Sequence, residues 1–287
     1  MNSIDIESKK FLGQPKNFVS IFNALLFDGK QVLKPEYLKD ENSELVMNVS
    51  SKHVDIIKRY EDGTYLDLFV IESQSYVDPS MVARVMEYES IARMRYIRQN
   101  FKNHVPISTR LPMILTVVLY VGESKWNAAK RLSELEIIHP GFEAMFNEFQ
   151  LNLIELNTNH KYNTGEKATQ DFFDLLSMIY RKQILKEDLD REFNRDALYF
   201  AYVVTKNKEL LSIYNKSEKG DVKVCRALDE MFEESTNKGI QMGIEQGIEL
   251  NRFEVYQTML DKGFSIKAIA SIFSVSEESI KKLLMKA

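Results

Sequence analysis

The spacing of apolar residues changes along this chain and divides it into a mixed first part and a helical second part. In the first part, apolar residues recur at helical spacing over 17–26 and 80–102, whereas 65–74 and 113–121 are nearly continuous apolar runs. Short runs rich in β-branched and aromatic residues are typical of buried strands. The first part therefore predicts an α/β fold, in which helices alternate with the strands of one sheet.

Several shorter elements complete this prediction. Asn17 is the expected N-cap of the first helix, and 35–39 is expected to form a short helical turn. Further strands are predicted over 46–60 and 151–156. From Thr169 onward only helices are predicted, over 171–185, 187–214 and 221–250.

Glycine and isoleucine recur every four residues over 239–249, within the last of these helices. Each glycine costs about 1 kcal/mol inside a helix, so we predict a flexible or packed connector and a domain boundary here. Beyond it, Ser265 is predicted to cap a helix through Phe273, followed by a tight turn and a helix over 277–285. This arrangement favours a helix-turn-helix module. The alternative is a helical hairpin that packs on the body or mediates dimerisation.

Composition narrows the class of protein. With 287 residues, the chain has room for one large or two modest domains, and its formal net charge of −4 means that any nucleic-acid surface must be local. The one cysteine, Cys225, excludes an internal disulfide and is expected to be a small buried residue. The most apolar stretch, 111–121, is too short to cross a bilayer. We therefore expect a cytoplasmic protein without a membrane partner.

The candidate chemistry lies on a predicted β-hairpin. If the turn centres on Asp62 and Gly63, the numbers of opposite residues add to 125, and Asp55 faces Val70. Side chains alternate between the faces of a strand, so Glu72 and Gln74 share the face of Asp55. The two carboxylates are then diagonal neighbours, roughly 7–8 Å apart at the backbone. A turn one residue longer would reverse this parity.

Two neighbouring carboxylates are the ligands that Mg²⁺ (or Mn²⁺) prefers, since the ion keeps several waters and leaves positions for phosphate oxygens. Such an ion polarises a phosphodiester and activates water, and the Gln74 amide is placed to hydrogen-bond that water or the phosphate. The alternative is a solvated pair of acids. Glu72 follows the apolar run 69–71, which favours the functional interpretation because a buried charge needs a partner or a metal.

The sequence around these residues resembles a known family. Its most specific part is Ile71-Glu72-Ser73-Gln74-Ser75 with the downstream spacing Arg84-x-x-x-Tyr88, and 22–32, 118–120 and the Gly-Ile repeat also fit. The chain resembles the PD-(D/E)XK nuclease-family transposases, also called the recombination-promoting nuclease or YhgA-like family, over nearly its whole length.

The resemblance implies a restriction-endonuclease-like core, a mixed central sheet flanked by helices, with an all-helical C-terminal extension. It implies Asp55 as the acid of the PD motif and Glu72 as the acid of the (D/E)XK motif, both binding the metal. Val54 stands where the motif has proline, and Gln74 stands where it has lysine. Because glutamine carries no charge, cationic help must come from the metal or another group, for which Arg84 is a candidate.

We therefore expect a metal-dependent DNA endonuclease associated with transposition or recombination, acting as a homodimer because two cuts on a duplex need two sites. The expected domains are a nuclease-like core over 10–185, a helical extension and connector over 186–250, and the helix-turn-helix-like module over 251–287. The alternative is a catalytically degenerate nuclease fold that binds DNA or protein. Candidate DNA-contacting residues are Arg84, Arg95, Arg98, Lys102, Lys281 and Lys282, although basic helix faces are usually just solvated.

Overall fold

The computed structural model of the chain describes residues 3–40, 56–63, 66–101, 104–217 and 220–286. The chain divides into two compact units, Met1–Leu228 and Asp229–Ala287. The domain boundaries expected near 185 and 250 stay predictions.

The first unit is built on one mixed sheet whose five strands follow each other in chain order. The second strand is antiparallel to the first and to the third, whereas the third, fourth and fifth strands run parallel to one another. The fourth strand has a partner on each side, which fits the nearly continuous apolar run 113–121, because a run of this kind is typical of a strand buried on both faces. The strands are β1 (Leu38–Asp40), β2 (Ile56–Glu61), β3 (Leu66–Gln74), β4 (Ile114–Tyr120) and β5 (Asn152–Glu155). The α/β prediction with a mixed sheet is confirmed.

The hairpin register differs from the predicted one. The partner of Val70 is Ile57, not Asp55, and the pairing ends at Glu61 and Leu66, so opposite residue numbers add to 127. The prediction of a two-residue turn at Asp62-Gly63 is therefore wrong. A shift of two residues leaves every side chain on its face of the sheet, so burial does not distinguish the two registers. The predicted pairing of Asp55 with Val70 rests on the Asp-Gly turn signal alone.

Two helices, α1 (Ser3–Leu12) and α2 (Pro15–Phe27), precede the sheet. Phe22 of α2 stacks on Phe69 of β3 with 4.7 Å between ring centroids. The helix begins earlier than predicted, with Gln14 as N-cap and proline at its first position, where the missing N–H costs nothing. Asn17 is therefore not the cap. Its amide lies inside the helix and donates to the Phe11 carbonyl oxygen at 2.9 Å.

The opposite face of the sheet is covered by α3 (Met81–Asn100). Tyr88 and Ala92 of this helix pack in one buried cluster with Leu68 and Val70 of β3 and with their neighbour Ile57. Even-numbered residues of β3 therefore face α3, and odd-numbered ones such as Phe69 face α2.

The rest of the first unit is helical but not purely so. The helices are α4 (Lys167–Arg181), α5 (Arg195–Thr205), α6 (Lys208–Lys216) and the beginning of α7 (Cys225–Asp261). Two short strands, β6 (Glu192–Phe193) and β7 (Val222–Lys223), pair antiparallel. The prediction of helices alone after Thr169 is wrong, because two-residue strands are too short to show a period. Cys225 is buried, as predicted.

The second unit contains most of α7, followed by α8 (Ile266–Phe273) and α9 (Glu277–Lys286). The Ser265 hydroxyl accepts a hydrogen bond from the Ala268 amide at 3.2 Å, which confirms the predicted cap. Ser274 ends α8 in the left-handed conformation. A small apolar cluster holds the three helices together and contains Tyr256, Ile269, Ala270 and Ile280. No helix in the described ranges has the length and apolar character that crossing a membrane requires.

Candidate active site

Glu72 and Gln74 lie at the carboxyl end of β3, on the face that α3 covers. Glu72 directly follows Ile71, which is fully buried, and both polar residues are themselves only 4% exposed. Their shared face agrees with the predicted alternation. A carboxylate in such a place is costly unless a charged or hydrogen-bonding partner meets it.

Arg84 on α3 is that partner. Its Nη2 lies 2.7 Å from Glu72 Oε1, and its Nη1 lies 2.6 Å from Asp78 Oδ2. Its Nε and Nη2 also donate to the Tyr88 hydroxyl, one turn along the helix, at 3.0 and 2.8 Å. One guanidinium thus joins two buried carboxylates and a tyrosine. We call these four residues the Arg84 cluster.

Asp78 is the member of the Arg84 cluster that sequence reasoning missed. Its Oδ1 accepts hydrogen bonds from the Ser80 amide at 2.8 Å and the Ser80 hydroxyl at 2.6 Å. Burial alone pushes the pKa of this carboxyl up, but the bonds from Ser80 and Arg84 outweigh burial, and the net pKa is lowered. The sequence Asp78-Pro79-Ser80 just before α3 is the signal that could have identified this residue, because an aspartate at such a position often binds nearby backbone N–H groups.

The same contacts determine the ionisation of the other members. Burial by itself lowers the pKa of the Arg84 guanidinium, yet hydrogen bonds to Asp78 and Tyr88 and the charge of Glu72 raise it above its ordinary value. Burial, followed by the nearby Glu72 charge, raises the pKa of the Tyr88 hydroxyl. At neutral pH the arginine is therefore charged and the tyrosine neutral.

Gln74 begins a row of polar side chains that crosses the parallel strands. Its partner on β4 is Tyr120, whose partner on β5 is Glu155. The Glu155 carboxylate forms an ion pair with Lys130, and the Gln74 amide donates to the Tyr76 carbonyl oxygen at 2.9 Å. Sequence reasoning missed Glu155 and its partner Lys130, because only the strand order places Glu155 in one row with Gln74.

Asp55 lies outside the described residues, as does Lys102. The described part of β2 begins at Ile56, the residue after Asp55, and Ile56 is the partner of Ile71, the residue before Glu72. Among the residues that the structure describes, no three histidine, cysteine, aspartate or glutamate side chains gather into a metal site.

The other candidate DNA-contacting residues that the structure describes lie on two helices, α3 of the first unit and α9 of the second. Arg98 is exposed near the end of α3, and Arg95 is partly exposed. Lys281 and Lys282 are exposed on α9, but the first turn of that helix carries Glu277 and Glu278. Two acids there suit the helix dipole. They also repel phosphates, and because the first turn is the part of a recognition helix that meets base edges, they count against that role for α9.

The donor set fits a divalent ion in part. Glu72 supplies a carboxylate, and such a group has two oxygens, so that it can hold an arginine on one and a cation on the other. Mg²⁺ is bound in proteins by one or two carboxylates together with waters and substrate phosphates. One further acid, which Asp55 would supply, gives this usual set.

Comparison with known proteins adds the family. Neither a search of curated proteins nor one of solved structures found a match. The family model described as "Putative transposase, YhgA-like" matches residues 9–210, which include the whole sheet and the Arg84 cluster. Membership points to a transposition-related function with DNA as the partner. The chain belongs to the YhgA-like transposase family.

Proposed function

We propose that this protein is a metal-dependent DNA endonuclease of the PD-(D/E)XK type that acts in transposition or recombination. Asp55 and Glu72 bind Mg²⁺ (or Mn²⁺), and Gln74 completes the site. The observation that carries the proposal is the position of Glu72 and Gln74 on one face of β3. Glu72 directly follows Ile71, the partner of Ile56, and Gln74 lies two residues further along the strand. Family membership supports DNA as the substrate.

Each residue has a distinct part in this proposal. A bound ion would polarise the phosphodiester and make a coordinated water more nucleophilic. Glu72 holds its carboxylate in one orientation because Arg84 binds Oε1 at 2.7 Å. Gln74, on the same face, offers an amide to the attacking water or to a phosphate oxygen. Arg84 supplies the positive charge that glutamine lacks at the usual lysine position.

The decisive experiment is cleavage of supercoiled plasmid with and without Mg²⁺. We expect Asp55→Asn and Glu72→Gln each to lower the rate by at least about a hundredfold, because each removes a metal ligand while keeping the side-chain volume. Glu89→Gln is the matched control. Glu89 is also a buried acid paired with an arginine, Arg93 at 2.8 Å, but it belongs to α3 alone.

Thermal unfolding of each variant shows whether its fold survives. Retained cleavage by a folded Asp55→Asn, Glu72→Gln double variant contradicts the assignment. Equal loss in Glu89→Gln would show that the effect is structural.

A second candidate function has one observation in its favour. The Glu72 carboxylate is already paired with Arg84 within the fold, which is what a catalytically degenerate nuclease that only binds DNA or protein would show. Calorimetric titration with Mg²⁺ and Mn²⁺ separates the two. Heat of binding that disappears in Glu72→Gln supports the nuclease, whereas DNA binding without metal binding supports the degenerate protein.

A further inference from the structure

The loop between α3 and β4 leaves an isoleucine completely exposed. Ile107 is 101% exposed, and three apolar neighbours in the same loop, Val105, Leu111 and Met113, are 41%, 40% and 52% exposed. We call residues 104–113 the Ile107 loop. Apolar side chains that are exposed together mark a binding surface, whereas single ones need no explanation.

A tight turn holds Ile107 at the tip of this loop. The Pro106 carbonyl oxygen accepts a hydrogen bond from the Thr109 amide at 3.0 Å. Residues 106–109 therefore form a β-turn, in which proline is the first residue and Ile107 the second. The turn directs the chain outward and back, so that the isoleucine is its most exposed side chain.

The base of the Ile107 loop is fastened to the sheet. The Met113 amide donates to Asp67 Oδ1 at 3.2 Å, and the Met113 carbonyl oxygen accepts from the Leu68 amide at 2.9 Å. Pro112 restricts the backbone next to these bonds. Because the loop is held at its base and closed at its tip, it loses little conformational freedom when a partner covers it.

The sequence around this loop is strongly basic. Between Glu89 and Glu123 there is no acidic residue, although the whole chain has a net charge of −4. Five residues in this interval are Lys or Arg: Arg93, Arg95, Arg98, Lys102 and Arg110. Arg98 and Arg110 are exposed. Asp67 meets the loop at its base, six positions from the exposed isoleucine. Charge therefore favours a polyanion as the partner.

A second loop offers a contrast within the same unit. Ile137, between β4 and β5, is 102% exposed and thus matches Ile107 in exposure. Its surroundings are acidic, because residues 132–160 contain five glutamates and neither lysine nor arginine. A partner that recognised apolar surface alone would bind both loops, whereas a polyanion selects the Ile107 loop.

We propose that the Ile107 loop binds a DNA duplex, with Ile107 inserted between two stacked base pairs and with Arg98 and Arg110 on nearby phosphates. This inference rests on DNA as the substrate of the proposed nuclease. Apolar side chains, isoleucine among them, insert between base steps from the minor groove and kink the duplex. The neighbouring cations then fix the position of the protein on the DNA backbone.

The distance to the candidate active site fits one continuous duplex. Arg84, which binds Glu72, and Arg98 are 14 positions apart on α3, about 21 Å at about 1.5 Å per residue. Base pairs follow each other at about 3.4 Å, so the kinked step lies about six base pairs from the cut. Pyrimidine–purine steps such as TA kink most easily. The loop therefore favours substrates that carry such a step at this distance.

Binding of short fluorescent duplexes by the full chain in EDTA tests the wedge, because no metal and no cleavage are involved. We expect the wild type to bend a duplex with a central TA step by about 20–90°, measured by energy transfer between dyes on its two ends. Ile107→Ser should raise the dissociation constant at least about tenfold and remove the bend. Ile137→Ser is the matched control and should change neither.

Two further measurements separate the parts of the proposal. The preference for a TA step over an A-tract should disappear in Ile107→Ser, since a stiff A-tract resists kinking. Arg110→Gln should weaken binding to both duplexes equally and lower the slope of log K against log salt by about one. Thermal unfolding of each variant confirms that its fold is intact, as expected for exposed positions.

The opposing outcomes are equally distinct. Absence of DNA binding in EDTA, an unbent duplex, or equal effects of Ile107→Ser and Ile137→Ser overturns the wedge. DNA binding that Ile107→Ser leaves unchanged, together with lost binding to phosphatidylserine vesicles, identifies a membrane surface instead. Bending without metal-dependent plasmid cleavage refutes the nuclease and keeps the wedge, whereas cleavage without bending does the reverse.

Discussion

The Arg84 cluster and the Gly-Ile repeat of α7, residues 239–249, both contain residues that are unfavourable where they stand, charged groups in the interior in one and exposed glycines and isoleucines in the other. Around Arg84, two carboxylates are buried beside a guanidinium whose side chain is 13% exposed, and every bond that compensates them lies within the fold. Along the Gly-Ile repeat, Ile240, Ile244 and Ile248 are about half exposed, and a Cβ added at Gly239, Gly243 or Gly247 would meet no described atom within 4 Å.

The difference between the two regions shows whether a residue is explained by contacts within its own chain or by contacts outside it. A buried polar group is constrained by its own neighbours, and a substitution there unbalances the fold. An exposed glycine in a helix has no such neighbours, so its replacement should stabilise the isolated chain and harm only an interaction with another molecule. Three predictions test this contrast.

The largest effect is expected from Arg84→Met, which removes the positive charge between Glu72 and Asp78. Two buried carboxylates then lose the charged partner that they share, and breaking a buried ion pair in this way costs about 3–5 kcal/mol. Denaturant unfolding of the first unit measures the change. Arg93→Met is the control: it also leaves a buried acid, Glu89, but the Arg93 side chain is 41% exposed, so its loss should cost less. Equal losses of unfolding free energy would mean that the burial of Arg84 does not make its ion pairs more important for stability than that of Arg93.

The same exchange, glycine to alanine, should change stability in opposite directions in the packed first unit and in the exposed stretch of α7. At Gly122 an added Cβ would lie 2.5 Å from the Tyr120 hydroxyl oxygen and 2.7 Å from the Ser75 carbonyl oxygen. Overpacking of this kind costs about 1–3 kcal/mol. At Gly243 the helix should instead gain about 1 kcal/mol. Hydrogen exchange reports the local stability of each region, and destabilisation at both positions would remove the contrast.

The smallest effect is expected from Asp78→Asn, since asparagine can still accept the hydrogen bonds from Ser80. The pKa of Asp78 is lowered below its ordinary 3.8 in the folded state. Its ionised form therefore contributes stability that is fully present above pH 3.8 and is lost as the pH falls through the folded pKa. The wild-type advantage over Asp78→Asn should be constant near neutral pH and shrink in acid. An advantage that grows in acid contradicts this sign.

The hydrophobic pattern determined which elements form and which faces they bury. The continuous run 69–71 predicted a buried strand, and alternation placed Glu72 and Gln74 on one face, as the structure shows. Ser265 and the tight turn after Phe273 predicted the last two helices, because caps and turns depend on neighbours in sequence. These features are local, so the sequence alone is enough to find them.

Partners across the sheet were beyond the reach of sequence. The pattern could not distinguish a pairing of Val70 with Asp55 from its pairing with Ile57, because both registers bury the same faces. Nothing in the sequence spacing joins Glu155 to the row of Gln74, or turns Arg84 towards both Glu72 and Asp78. Those neighbours exist only once β3, β4 and β5 lie side by side and α3 packs across them, since contacts between distant residues depend on how whole elements dock.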